Sequence, residues 1–526
     1  MSSTAVAREV ITQLVAAGLR DVVLCPGSRS SPLAYALADA EAAGWLRAHV
    51  RADERTAGFF ALGLAKAAAL RGRPRPVAVV TTSGTAVANL HPAVLEASHG
   101  GVPLVIVSAD RPHEWRGTGA NQTTTQTGIF ADAVRIAVEL PARVDATAVR
   151  GHGARLVAAA LGTLTRDPGP VHLNVGFAEP LTPEAAWSPG EPPTPLTPLT
   201  VLAPQIPPPP SSAALPAGRR TLAIAGDAPG RGGGEYAHAL AARAGWPLLA
   251  EPSSGARRPG AIVHYLELLT DGLATDVERV VVFGHPTLSR PVAALLARRD
   301  VEIVVVTPTA RWTDVAGTAS LVTPAIGVTG PAASDRAWLG RWQQADAVAS
   351  TRFVPRPIER AALALWDTPE WLVLGSSNTV RAFDRCVPGA ERAARVVANR
   401  GLAGIDGLVS TAHGLAAGLG EPVRLVLGDL AFQHDVGGLV RGDAEAEVNL
   451  EVVVLDDHGG GIFATLEHGN AAPEMFRRFF TTPQEFDVVA AARACGARAS
   501  RLDVDALATR PAGPIVGRTV LDVGLA

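Results

Sequence analysis

Val423-Arg424-Leu425-Val426-Leu427-Gly428-Asp429-Leu430 and, further on, Val452-Val453-Val454-Leu455-Asp456-Asp457-His458-Gly459-Gly460-Gly461-Ile462-Phe463 are the stretches that decide the fold. Each begins as a short apolar run without alternation, the pattern of a strand buried on both faces of a parallel sheet. Each run then stops at glycine and aspartate. The interval between Asp429 and Asp457 is long enough for a helix and a return strand, so both acids would stand at one edge of one sheet. A glycine at such an edge lets the backbone approach a phosphate, and two carboxylates suit an oxygen-loving divalent cation. Gly-Asp after a strand is by itself a common turn; the second acidic, glycine-rich strand end makes the pair read as a diphosphate–Mg²⁺ cradle.

Working outward, the same alternation of apolar runs and helical spacing fills the chain. Buried strands are expected at 22–25, 76–80, 103–107 and 171–175, then at 221–225, 280–283 and 301–306, then at 371–374, 423–427 and 452–455. Helical spacing covers 5–18, 32–43 and 55–70. The expected class is α/β, with parallel sheets covered by helices on both faces. A Pro-, Thr- and Ser-rich stretch separates the first block from the second and has linker composition. The expected domains are 1–188, a linker at 189–219, a central domain at 220–350 and a third at 351–526, each within the usual domain size.

Composition narrows the class of function. The 526 residues are 47% hydrophobic and 18% charged, with a net charge of −3. No global basic field argues for nucleic acid. The basic residues are nearly all arginine, whose planar fork suits carboxylate recognition, although genome composition can produce the same bias. Cys25, Cys386 and Cys495 are widely spaced and form no C-x-x-C pair, against both a disulfide framework and a thiolate metal site. The N-terminus lacks the basic and apolar regions of a signal peptide, and no long apolar run suggests membrane insertion. A cytoplasmic protein is expected.

Further short motifs occur in series. They are Cys25-Pro26-Gly27-Ser28-Arg29-Ser30-Ser31-Pro32, Asp53-Glu54-Arg55, Thr82-Ser83-Gly84-Thr85-Ala86-Val87-Ala88-Asn89-Leu90, Ala109-Asp110-Arg111-Pro112 and Gly119-Ala120-Asn121-Gln122. Phe177-Ala178-Glu179-Pro180-Leu181 and Asn399-Arg400-Gly401-Leu402-Ala403-Gly404-Ile405-Asp406-Gly407 complete the set. Singly each has a bland reading as turn, cap or core. The glycine-rich strand ends resemble the cofactor motif of the thiamine-diphosphate enzyme superfamily, with Asp456-Asp457 where that motif has Asn-Asn. The whole series, in order and spacing, resembles the 2-succinyl-5-enolpyruvyl-6-hydroxy-3-cyclohexene-1-carboxylate synthase family. The resemblance is strong in the first and third blocks and weak in the middle one.

That resemblance implies three doubly wound parallel-sheet domains: pyrimidine-binding, central and diphosphate-binding. It implies thiamine diphosphate with Mg²⁺ or Mn²⁺, in a homodimer or a homotetramer. The metal would be held by Asp429, Asp457 and the Gly459 carbonyl, with His458 as the registry alternative to Asp457 and a poorer Mg²⁺ partner. Gly428, Leu430, Ala431, Gly460, Ile462 and Phe463 would line the cofactor, and Ile405 would prop its bent shape. Glu54 would hydrogen-bond the aminopyrimidine and promote the tautomer that removes the thiazolium proton. The implied reaction of menaquinone biosynthesis decarboxylates 2-oxoglutarate and joins the remainder to isochorismate. Ser28, Arg29, Arg111, Asn121, Gln122, Ser377, Arg381 and Arg400 would bind these acidic substrates, since bidentate arginine suits carboxylates. Arg290 is expected to be a surface residue more than a ligand. Gly226-Asp227-Ala228-Pro229-Gly230-Arg231-Gly232-Gly233-Gly234 has a proline at 229 and the wrong glycine spacing for a dinucleotide fingerprint, so no FAD is expected in the middle domain. The competing readings are another thiamine-diphosphate 2-oxoacid decarboxylase or carboligase, and a non-catalytic metabolite-binding α/β protein.

Overall fold

The computed structural model describes residues 1–193, 214–228, 232–328, 330–511 and 513–525. The expected linker at 189–219 lies mostly on 194–213, and part of the 226–234 motif on 229–231, outside the described residues. Strands β1 (Asp21–Leu24), β2 (Arg47–Val50), β3 (Val77–Thr81), β4 (Leu104–Asp110), β5 (Ala137–Leu140) and β6 (Val171–Gly176) form a first sheet. Its order is β2-β1-β3-β4-β6-β5, all parallel. After β7 (Ala214–Leu215) come β8 (Thr221–Ala225), β9 (Leu248–Ala250), β10 (Arg279–Phe283), β11 (Glu302–Val306) and β12 (Ala319–Thr323). They form a parallel sheet ordered β12-β11-β10-β8-β9, and β13 (Gly327–Val328) pairs back onto β7. The third sheet takes β14 (Trp371–Leu374), β15 (Val396–Ala398), β16 (Val423–Gly428), β17 (Leu450–Asp456), β18 (Arg498–Asp503) and β19 (Arg518–Gly524). It is parallel in the order β15-β14-β16-β17-β19-β18, which repeats the strand order of the first sheet.

The apolar runs explain why these segments are strands. In the first sheet Val22, Ala78, Val80, Val105 and Val107 enter one buried cluster, while Val23, Val77, Val79, Leu104 and Ile106 enter another on the opposite face. The second sheet divides likewise, Leu222, Val280 and Ile303 on one side and Ala223, Val281 and Val304 on the other. Side chains alternate between faces with period two, so a strand covered on both sides reads as continuously apolar. Burying each valine, leucine or isoleucine among them stabilises by about 1.5–3 kcal/mol. Both edge strands of the first sheet and one of the third lack that signature, whereas the edge strands Leu248–Ala250 and Val396–Ala398 are fully buried. Arg47–Val50, Ala137–Leu140 and Arg498–Asp503 carry exposed polar positions and lie outside the strands expected from apolar runs.

The chain divides into two compact units. One holds the first sheet with Gly401–Glu421 and His434–Asn449; the other holds the second sheet and the strands of the third. Within the first unit, helix Glu54–Leu70 packs along helix Leu408–Leu419. Glycines set that approach: a Cβ on Gly63 would lie 2.1 Å from the Thr411 carbonyl oxygen, and one on Gly414 would lie 2.0 Å from that of Phe60. Gly63→Ala should therefore destabilise this unit by about 1–3 kcal/mol through overpacking. Gly340→Ala, at an exposed position of helix Ala333–Arg352 with nothing within 4 Å, should be neutral or slightly stabilising. Thermal melts of the two variants check the contrast, and equal melting temperatures would refute the packing argument.

Candidate active site

In both the first and third sheets the strand order reverses between the first strand and the third, and ligands bind at such switch points, at the carboxyl ends of the strands. The expected residues follow these strand ends. In the first unit Ser28 and Arg29 follow β1, Glu54 follows β2, and Arg111 follows β4. In the second unit Ser377 follows β14, Arg400 follows β15, Asp429 follows β16 and Asp457 follows β17.

Asp53, rather than Glu54, caps the helix, its carboxylate accepting from the Arg55 amide at 2.9 Å. Glu54 is the first helical residue and half-buried. Its charge, together with burial as the larger cause and Asp53 as a smaller one, pushes the Cys25 thiol well above its ordinary pKa. Two arginines converge nearby. Arg29 is buried, donates to the Phe177 carbonyl at 2.9 Å and lies 5.7 Å over the Trp115 ring. Burial, then the neighbouring Arg111 cation, lowers its pKa. Arg111 donates to the Ser83 hydroxyl and, at 2.6 Å, to the Gln122 carbonyl.

Gln122, at φ 56°, also donates its amide to the Ser83 carbonyl at 2.8 Å, so this loop is braced on the strand end. Asn121 and Ser28 are exposed, and their carbonyls accept from Thr123 at 3.3 Å and Ser31 at 2.7 Å. Behind Arg111 stands a network that motif reading did not single out. Asp110 accepts from the Arg111 amide, Arg116 and Asn174, while Gln126 joins Asn174 to the Gly84 amide at 2.9 Å. Its signal is a set of polar residues buried on or near sheet strands, which must be paired.

Glu96 is a second such residue. Buried, it accepts from the amides of Gly401 at 2.8 Å, Leu402 at 2.7 Å and Ala403 at 3.3 Å, holding the turn that leads to the half-buried Ile405.

In the second unit, Asp429 opens a short helix at the end of β16. Burial and the charges of Asp457 and Asp456 push its carboxyl up to about 7. Burial and Asp456 push Asp457 up to about 6. These carboxylates repel one another, and a divalent cation is the group that would offset the repulsion. A Cβ on Gly428 would meet nothing nearer than the Leu455 carbonyl oxygen at 4.0 Å, so packing within the chain does not demand glycine there, whereas a close ligand would. Gly461 is different: a Cβ there would lie 1.8 Å from Asp457 Oδ2. His458, at φ 57°, leaves its ring mostly exposed, with Nδ1 3.3 Å from Asp456 Oδ1.

A small pocket is lined by Asp429, Gln433, Asp456, His458, Gln484 and Phe486. Leu430 is half-buried and Ala431 buried behind it. Gly459, at φ 138°, and Gly460, whose amide donates to the Thr481 carbonyl at 2.7 Å, carry the loop toward Ile462 and Phe463. Among the described residues no group of three or more His, Cys, Asp and Glu side chains is arranged to hold a metal.

Arg381 and Arg400 form a second arginine pair. Arg381 donates to the Ser377 carbonyl at 2.6 Å, and burial, then the Arg400 cation, lowers its pKa. Ser377 has φ 76° and ψ −134°, a region costly for any residue but glycine and one that clusters at ligand sites. Arg400 is buried and donates to the Thr287 hydroxyl at 3.2 Å. Arg290 is a surface residue paired with Glu467 at 3.1 Å.

Residues 4–130 match the family described as "Thiamine pyrophosphate enzyme, N-terminal TPP binding domain". The fold is similar to the crystal structure of benzoylformate decarboxylase from Polynucleobacter necessarius, with a TM-score of 0.65 at 19% identity over 100% of this chain and 98% of that one. Together with the sequence relatives that follow, the family match over residues 4–130 defines a thiamine-diphosphate enzyme.

Sequence relatives are more specific. The chain is 49% identical to 2-succinyl-5-enolpyruvyl-6-hydroxy-3-cyclohexene-1-carboxylate synthase of Kineococcus radiotolerans, over 97% of this chain and 94% of that protein. It is 44% identical to the synthase of the same name from a Nocardioides species (96% and 91%) and 42% identical to that of Mycobacterium avium (99% and 96%). The chain belongs to the 2-succinyl-5-enolpyruvyl-6-hydroxy-3-cyclohexene-1-carboxylate synthase family. It is a thiamine-diphosphate-dependent enzyme of menaquinone biosynthesis. Among the described residues no helix is long and apolar enough to cross a membrane.

Proposed function

We propose that the enzyme removes CO₂ from 2-oxoglutarate and joins the remaining succinyl unit to isochorismate, giving 2-succinyl-5-enolpyruvyl-6-hydroxy-3-cyclohexene-1-carboxylate. The observation that carries this reading is the pair of arginine clusters at strand ends, Arg29 with Arg111 and Arg381 with Arg400. Both substrates are dicarboxylates, and a guanidinium buried beside a second cation, as Arg29 and Arg381 are, gains most from an anion.

Bound thiamine diphosphate would supply the electron sink for decarboxylation. Glu54 would hold a proton at the aminopyrimidine nitrogen. Asp429, Asp457 and the Gly459 carbonyl would hold Mg²⁺ or Mn²⁺. Asp457 is favoured over His458 because its charge bears directly on Asp429, while the His458 ring is turned to Asp456. Gly428, Leu430, Ala431 and Gly460 would cradle the diphosphate, with Ile405, Ile462 and Phe463 as apolar walls. Ser28, Asn121, Gln122 and Ser377 would hydrogen-bond substrate. Domains 1–188, 220–350 and 351–526, assembled as a cytoplasmic homodimer or homotetramer, complete the reading.

The test is a turnover assay with thiamine diphosphate, Mg²⁺, isochorismate and 2-oxoglutarate, the product followed by mass. A succinylated cyclohexene product should form with 2-oxoglutarate and not with pyruvate. CO₂ without that product would overturn the acceptor, and equal use of pyruvate would overturn the role given to the arginines.

A further inference from the structure

Glu251 directly follows β9 in the second unit and carries a buried carboxyl that the proposed chemistry does not use. Its Oε1 accepts from the Leu288 amide at 2.9 Å, and its Oε2 is buried without a hydrogen-bond partner. The adjoining residue, Thr287, accepts from Arg400 at 3.2 Å, and Arg400 Nε is likewise buried and unpartnered. Consecutive residues of one segment thus grip Glu251 and Arg400.

Near Glu251, Arg257 and Asp384 are matched to each other. Arg257 lies 3.4 Å from Asp384 Oδ1 and also donates to the carbonyls of Val387, Ala250, Val263 and Asp384. The Tyr265 hydroxyl donates to Asp384 Oδ1 at 2.6 Å. Asp384 shares helix Asn378–Cys386 with Arg381. Arg257 therefore serves Asp384, and Glu251 has no counter-ion at hydrogen-bond distance.

We propose that Glu251 is a positioning residue for substrate binding: as a neutral carboxyl it leaves the Arg400 cation uncompensated for an acidic substrate, and as a carboxylate it draws on that cation. This rests on the reading of Arg400 as a substrate-binding residue. Charges face Glu251 from every side: Asp384 and Arg381 from their helix, Arg400 from the end of β15, Asp227 from the end of β8, and Arg257 and Tyr265 from the following segment. Burial, then the Asp384 charge, outweighs the opposing Arg400 and pushes the carboxyl up to about 8. Below that pH the carboxyl is neutral and Arg400 is open to substrate; above it the new negative charge competes with substrate for the same guanidinium.

The experiment measures kcat and KM for 2-oxoglutarate and for isochorismate from pH 7 to 9.5, in wild type and in Glu251→Gln. In wild type the KM of the acid that Arg400 reads should rise roughly three- to tenfold across that range, as one charge pair at partial screening allows, with kcat little changed. Glu251→Gln keeps an acceptor for the Leu288 amide but cannot ionise, so its KM should match wild type at pH 7 and lose the alkaline rise. A merely structural role would shift stability without altering the pH profile. A flat wild-type KM, or a rise retained in Glu251→Gln, would overturn the role of Glu251 while leaving the reaction standing. No turnover in folded wild type at pH 7 would instead remove the reaction, and this proposal with it. Metal-dependent cofactor binding, to which Glu251 does not contribute, verifies that the variant is folded.

Discussion

Glu54→Gln should lower kcat by about 10²–10⁴-fold, the range lost with a positioned acid–base group, while metal-dependent binding of thiamine diphosphate stays close to wild type. The geometry separates these effects. Asp53 takes the capping duty, so the helix start does not depend on the Glu54 carboxylate. Glutamine fills the same volume and still hydrogen-bonds, but it cannot hold a proton in exchange with the cofactor ring. Turnover and cofactor titration on the same preparation make the check. Wild-type kcat in the variant would remove Glu54 from the chemistry, and loss of cofactor binding alone would recast it as a binding residue.

Asp429→Ala should weaken Mg²⁺-dependent binding of thiamine diphosphate by at least about 100-fold, because one of two carboxylate donors goes and the backbone cannot replace its charge. Without metal the sign reverses. Burial and neighbouring carboxylates push Asp429 up to about 7, against an ordinary value of 3.8. An acid whose pKa is raised by folding costs the folded state stability as pH climbs from near 4 through 7, and the whole cost is present above 7. Asp429→Asn removes that cost. Metal-free Asp429→Asn should therefore melt a few degrees above wild type at pH 8, by roughly the usual conversion of free energy to melting temperature, with the difference shrinking toward pH 5. Adding Mg²⁺ and cofactor should then favour wild type. Wild-type cofactor affinity in Asp429→Ala would exclude Asp429 as the metal ligand, and a metal-free variant less stable at pH 8 would refute the repulsion argument.

The sequence by itself determined the α/β class and the identity of the central strands. Val77–Thr81 and Val423–Gly428 are buried on both faces, so their apolar runs record the environment directly. It also determined that the glycine-rich motifs stand at strand ends, because Gly428-Asp429 and Gly459-Gly460 lie just downstream of such runs. The tertiary structure decided what depends on partners distant along the chain. Strands Arg47–Val50 and Arg498–Asp503 are held by hydrogen bonds to a neighbouring strand rather than by their own apolar pattern. Glu96 meets Gly401 through a contact some three hundred residues away in sequence, and no local pattern marks it as a partner. Glu251 reads in sequence as an ordinary acid after a strand. Only its burial beside Asp384, against the opposing pull of Arg400 and the Leu288 amide, gives it a proton affinity near neutrality. Local pattern reports how a segment meets solvent; the charge state of a buried group is set by everything that surrounds it.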